Sequence, residues 1–123
     1  MATFSKLTLQ PAGTTGTGLG IKVGAVGTPG TAIHTASTVS TTIDEIYIYA
    51  VNTSASTVKL TIQWGETTAP DGNVEVSVLP ETGLVTVIPG FPLQGNATPK
   101  VVRAFAGTAD VLVVHGFVNR ITA

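Results

Sequence analysis

The sequence predicts an all-β protein, an antiparallel sandwich or barrel of the jelly-roll or Ig-like kind with an extended N-terminal arm. Three observations carry that prediction. Among 123 residues stand 21 Thr, 16 Val and 14 Gly, a composition that suits pleated, half-buried chain and tight turns better than helix. From residue 43 onward apolar and polar residues alternate with a period of two, and no window of about 11 residues keeps a 3.6 period. The alternating runs recur every ~8 to 14 residues between Pro and Gly clusters, the spacing of two-layer or closed all-β domains.

Residues 1–30 read as a Gly/Thr-rich N-terminal arm and residues 31–123 as the β-sandwich domain. The arm holds a short strand over 3–9. The stretch 11–20 follows with five Gly or Pro and no charge, too little apolar surface to offset its ordering entropy. Residues 18–26 alternate weakly through Leu19, Ile21 and Val23 and read as an edge strand before Thr28-Pro29-Gly30 turns the chain.

The signal sharpens at Ile43. Ile46, Ile48 and Ala50 alternate with Tyr47, Tyr49 and Val51, and after a linker over 53–57 the residues Val58, Leu60, Ile62 and Trp64 share one face. These two runs predict a hairpin, with Trp64 in the core. Pro70-Asp71-Gly72 turns the chain into a strand through Val74, Val76 and Val78 that Pro80 ends. A fifth strand over 83–88 closes at Pro89-Gly90-Phe91-Pro92. Residues 101–106 and 111–121, joined by Gly107-Thr108-Ala109-Asp110, predict a final hairpin. The last strand is apolar on both faces, with Val111, Val113 and Phe117 on one and Leu112, Val114 and Val118 on the other. Either it is central in a closed structure or its outer face meets another chain.

Six Lys and Arg stand against seven Asp and Glu, so 11% of the chain is charged, against about 25% in an average soluble domain. With no basic stripe, neither nucleic acid nor an anionic membrane surface is an expected partner. Cys is absent, which excludes disulfides, thiolate nucleophiles and sulfur-ligated metals. Residues 1–10 lack the apolar run of a secretory signal, an expectation of synthesis and use without Sec export. The longest aliphatic stretch there is near the C-terminus, over 111–114, is far below the ~20 residues of a membrane-spanning helix.

Chemistry-bearing residues are few. His34 sits in a Thr-rich connection and His115 on an apolar strand, positions of structural or surface histidines. No His/His or His/carboxylate pair has the spacing of a zinc site. Asp44 and Glu45 are adjacent, so on a strand they point to opposite faces, and both read as a solvated strand start. Glu66, Asp71, Glu75 and Glu81 would need to converge at one end of the sandwich to bind Ca²⁺, and no EF-hand spacing links them. Gly16-Thr17-Gly18-Leu19-Gly20 lacks the spacing and the Lys of a phosphate loop. Asn52-Thr53-Ser54 and Asn96-Ala97-Thr98 match glycosylation sequons but read as turns. Tyr47 and Tyr49 share a face and offer the one candidate platform for sugar stacking. These residues assign no catalytic, metal or cofactor site, and the chain is expected not to be an enzyme.

The segment Ile33-His34-Thr35 with its Thr-rich connection, followed by Ile43-Asp44-Glu45-Ile46-Tyr47-Ile48-Tyr49-Ala50-Val51-Asn52-Thr53-Ser54, resembles small β-rich virion proteins of tailed bacteriophages. The ending Val101-Val102-Arg103-Ala104-Phe105-Ala106, then residues 111–118 with Gly116-Phe117-Val118-Asn119-Arg120, looks like the final hairpin of that group. The resemblance covers roughly residues 31–122 and is compositional and topological. It implies a virion structural protein, most like a head decoration (cement) protein on the capsid surface, made in the host cytoplasm. The implied partners are major capsid protein subunits and copies of the chain itself. The alternatives are a neck or tail component and a small carbohydrate-binding module.

Overall fold

A computed structural model describes residues 2–13 and 16–123. Its strands are β1 (Thr3–Thr8), β2 (Ile21–Lys22), β3 (Thr31–Thr35), β4 (Thr42–Asn52), β5 (Val58–Gln63), β6 (Asn73–Val78), β7 (Val85–Gln94), β8 (Val101–Ala106) and β9 (Leu112–Thr122), with no helix among the described residues. They form two antiparallel sheets. One runs β1-β9-β4-β7, with β2 also on β9, and the other runs β3-β8-β5-β6. Packed face to face they make a β-sandwich, and among the described residues no ladder joins the sheets into a barrel.

Period-two alternation decides what each sheet buries. Ile46, Ile48 and Ala50 of β4 and Leu112, Val114 and Val118 of β9 turn inward from one sheet. Val58, Leu60 and Ile62 of β5 and Val102, Ala104 and Ala106 of β8 meet them from the other, all buried. Strand β9 is central, bonded to β4 along one edge and to β1 and β2 along the other. That position accounts for its inward apolar row. Gly116 is needed on this strand because a Cβ there would strike the backbone of Tyr47 on β4.

Two expected hairpins are instead arches between the sheets. Strands β4 and β5 lie in different sheets, as do β8 and β9. Two apolar rows that pack against each other across a core must come from opposing sheets, whereas a hairpin sets its rows side by side. The side chain of Asn52 shapes the first arch. Its Nδ2 donates to the Ser56 and Val78 carbonyls at 2.8 Å each, and its Oδ1 accepts from the Ser54 N–H at 2.9 Å. At the second arch, Gly107 N–H donates to the Lys59 carbonyl and Asp110 N–H to that of Val23.

Strand β7 runs through Pro89-Gly90-Phe91-Pro92, where the sequence predicts a stop. It is an edge strand, so prolines can sit where no outer ladder bond is required. Two register shifts against β4 absorb the irregularity. His34 lies on β3, not in a connection. A bulge between Ala32 and His34 turns both Ile33 and His34 inward, each fully buried.

The sandwich includes described residues on both sides of position 30. Strands β1 and β2 pair with β9, and Leu9 and Val23 join the core. Gln10 and Pro11 run beside β3, their carbonyls accepting from the Thr35 N–H and hydroxyl at 2.8 and 2.9 Å. Within the expected arm, Met1, Thr14 and Thr15 lie outside the described residues.

Candidate functional site

The outer face of the β1-β9-β4-β7 sheet gathers most of the aromatic chemistry. Tyr47 of β4 stands opposite Phe117 of β9, and their rings stack with centroids 4.5 Å apart and planes 11° from parallel. The Lys6 ammonium of β1 lies 4.7 Å from the Phe117 ring centroid. On the other flank Gly90 of β7 packs against Tyr47, where a Cβ would fall 2.7 to 2.9 Å from Cζ, Cε2 and the hydroxyl oxygen. One row, Lys6, Phe117, Tyr47 and Gly90, therefore crosses the whole sheet. Both rings are flanked within it, so neither presents the open face that sugar stacking requires.

Polar groups fix the row in place. The Tyr47 hydroxyl donates to Glu45 Oε1 at 2.9 Å, and Asn119 Nδ2 donates to the same oxygen at 3.2 Å. The Glu45 carboxylate beside the phenol holds Tyr47 above its ordinary pKa. Next to this cluster lies a shallow depression of about 480 Å³ lined by Phe4, Ser5, Lys6, Glu45, Asn119 and Ile121. At its rim Phe4 is 72% exposed.

A second polar cluster is buried between the sheets. Asp44 Oδ1 accepts from Arg120 Nε at 2.7 Å, and Oδ2 accepts from Arg120 Nη2 at 2.9 Å and from His34 Nε2 at 2.8 Å. The Gln10 N–H donates to His34 Nδ1 at 3.1 Å. That bond assigns the proton to Nε2 and makes the ring neutral. Burial by itself raises the Asp44 pKa, but the hydrogen bonds from Arg120 and His34 and the charge of Arg120 outweigh it and leave the carboxylate below its ordinary value. With both ring nitrogens engaged and no solvent exposure, His34 has no lone pair or proton to offer a substrate.

Asp44 is thus not a solvated strand start, although Glu45 does point to the opposite, outer face. Parity carried the signal: Asp44 falls in the row of Ile46 and Ile48, and Arg120 in the row of Val118 and Val114. Among the described residues no three His, Cys, Asp or Glu side chains gather as a metal site. Of the acidic residues considered for Ca²⁺, Glu75 instead pairs with Lys59 at 3.1 Å. Both sequon asparagines form turns. The Asn52 amide is consumed in its arch, and Asn96 Oδ1 accepts from the Thr98 N–H at 3.1 Å. His115 packs against Gly20, where a Cβ would lie 2.8 Å from its Cε1. Trp64 faces the core side but is only partly buried, its ring 5.6 Å from that of Phe91. No helix of the described residues is long and apolar enough to cross a membrane.

Comparison of the chain with protein-family models, characterised proteins and solved structures gives no match.

Proposed function

We propose that the protein is a structural component of a tailed-phage particle, a head decoration protein that binds the assembled shell and reinforces it. The observation that carries this reading is the apolar flank of the β1-β9-β4-β7 sheet. There Phe4 is 72% and Ile43 39% exposed, and Ile121 is only half-buried between them. Apolar side chains clustered on one face favour a partner surface over water. A charged fraction of 11% adds to that tendency, and the resemblance of residues 31–122 to small virion proteins supplies the kind of partner, major capsid protein subunits.

In this reading the protein binds the mature lattice and not its precursor, so each occupied seam is stabilised by mass action. At a free concentration of 100 Kd the gain is about 2.7 kcal/mol per site. Many equivalent seams then delay the first rupture. The flanked ring of Tyr47 weighs against the Tyr47–Tyr49 platform on which the carbohydrate-binding alternative rests, leaving only the half-buried Tyr49 on that face.

The test compares particles with and without this chain for copy number, genome content and rupture temperature. Hundreds of missing copies, normal filling and early rupture support decoration. Loss of a few copies with tailless or empty heads overturns it and favours a neck or tail component.

A further inference from the structure

The two sheets end in four sides, one of them shared by β1 and the two-residue β2, and two of the others, β7 and β3, are guarded by their backbones. Strand β7 carries Pro89 and Pro92 and two register shifts. Strand β3 is short, bulged and tied to Gln10 through the Thr35 N–H. Strand β6 has only the half-exposed carboxylate of Glu75, which pairs with Lys59 of β5, and it exposes no aromatic side chain. Proline, bulges, brevity and charge are the devices that keep edges from pairing.

Strand β1 has none of them except Lys6. It contains no Pro or Gly, and its register with β9 is unbroken from Thr3 opposite Thr122 to Thr8 opposite Phe117. Among the described residues nothing pairs with its outer edge. The Lys6 ammonium lies over the Phe117 ring on the outer face of the sheet, the face that Phe4 shares. Phe4, two residues before Lys6, is 72% exposed.

We infer that β1 is a self-pairing edge, along which two copies join antiparallel about a two-fold axis at Ser5. The same sheet then continues from one copy into the other. Directly opposed residues of an antiparallel pair share a face, which limits the register to a few choices. Centring on Ser5 sets Phe4 against the partner's Lys6 and Lys6 against the partner's Phe4, an aromatic ring and a cation opposed twice. Centring on Lys6 would oppose two ammonium groups and push Thr8 and its neighbours toward Gly16 and Gly18, which pack against Thr8 and Leu9. Centring on Phe4 would pair only residues 3–5 of the strand. A net charge of −1 leaves little repulsion between copies.

The inference goes beyond the shell-binding reading and is tested on the purified chain alone, so its failure is separate from failure of the particle comparison. Because the chain has no cysteine, Ser5→Cys introduces a single thiol at the two-fold axis. Mild oxidation is expected to cross-link Ser5→Cys into a dimer well before Ser77→Cys on β6. Sedimentation of the unmodified chain is expected to show a concentration-dependent dimer. Phe4→Lys, which opposes two cations, raises its dissociation constant by about tenfold or more, whereas Phe4→Glu, opposing the partner's Lys6, retains it. Phe4 is exposed, so the melting curves of both variants are expected to match that of the unmodified chain as monomer. A chain that stays monomeric to near-millimolar concentration, a dimer indifferent to Phe4→Lys, or faster cross-linking at Ser77→Cys overturns the inference.

Discussion

His34 Nε2 donates to Asp44 Oδ2 at 2.8 Å with neither side chain exposed to solvent, and this bond, like that from Asn52 of β4 to Val78 of β6, ties one sheet of the sandwich to the other. Strand β3 supplies the imidazole and β4 the carboxylate, while Arg120 of β9 takes both oxygens in a two-pronged contact. A charge buried this way is held by its partners, and each partner is satisfied only while the others remain.

Asp44→Ala is therefore expected to be among the most damaging single changes. It leaves the His34 N–H without an acceptor and the Arg120 guanidinium without its counter-ion, a loss on the order of 3 to 5 kcal/mol for a buried pair. Arg120 retains 25% side-chain exposure and can turn toward water, which places the expected cost near the lower end. Urea denaturation checks it, and an unshifted midpoint would show that the cluster adds nothing.

Acid should weaken the fold through the same carboxylate. The Asp44 pKa is lowered below its ordinary 3.8 in the folded protein, so between the two values the unfolded chain binds a proton that the native state refuses. Stability is then fully present above the unfolded value and is lost as pH falls from there through the folded one. Melting temperature measured from neutral pH downward is expected to drop in that acid window, and Asp44→Asn should flatten part of the drop. An equal drop in Asp44→Asn would assign the acid sensitivity to other groups.

Gly90 meets two demands, a φ of +94° and contact with the Tyr47 ring. Gly90→Ala is expected to cost about 1 to 3 kcal/mol, the range for a residue forced into a sparsely populated backbone region. In a Tyr47→Ala background the steric part vanishes and only the backbone part remains. A double-mutant cycle by thermal or chemical unfolding measures the difference, and strict additivity would remove the contact from the account.

Trp64→Ala is expected to cost about 2 kcal/mol, less than the roughly 3 to 5 of a fully buried tryptophan. The ring caps the core at one end and rests on Phe91, which is itself 57% exposed. Its fluorescence maximum should lie between buried and solvent-exposed values. A fully blue-shifted maximum together with a larger loss would place Trp64 inside the core.

Much of the candidate surface is legible in the sequence itself. Parity alone placed Tyr47, Tyr49 and Glu45 on the face opposite Ile46 and Ile48, and gave β9 two apolar sides. The row from Lys6 to Gly90 was not legible, because it joins β1, β9, β4 and β7, strands far apart along the chain. Nor was the buried cluster. Residues 34 and 44 carry no metal or catalytic spacing, and only a bulge in β3 turns His34 inward beside Ile33.

By itself the sequence determined the all-β class, most strand positions, the inward rows and the turns at Asn52 and Asn96, since these follow from period-two alternation and from side chains that bond their own backbone. Only the tertiary structure decided which strands are neighbours. Alternation fixes a residue's face but is silent on whether the next strand returns in the same sheet or crosses to the other. Two apolar rows joined by a short linker fit a hairpin or an arch equally well. Burial of both rows against a common core made the links from β4 to β5 and from β8 to β9 into arches. That choice set β9 between β1 and β4, stacked Phe117 on Tyr47, and left β1 open at the edge.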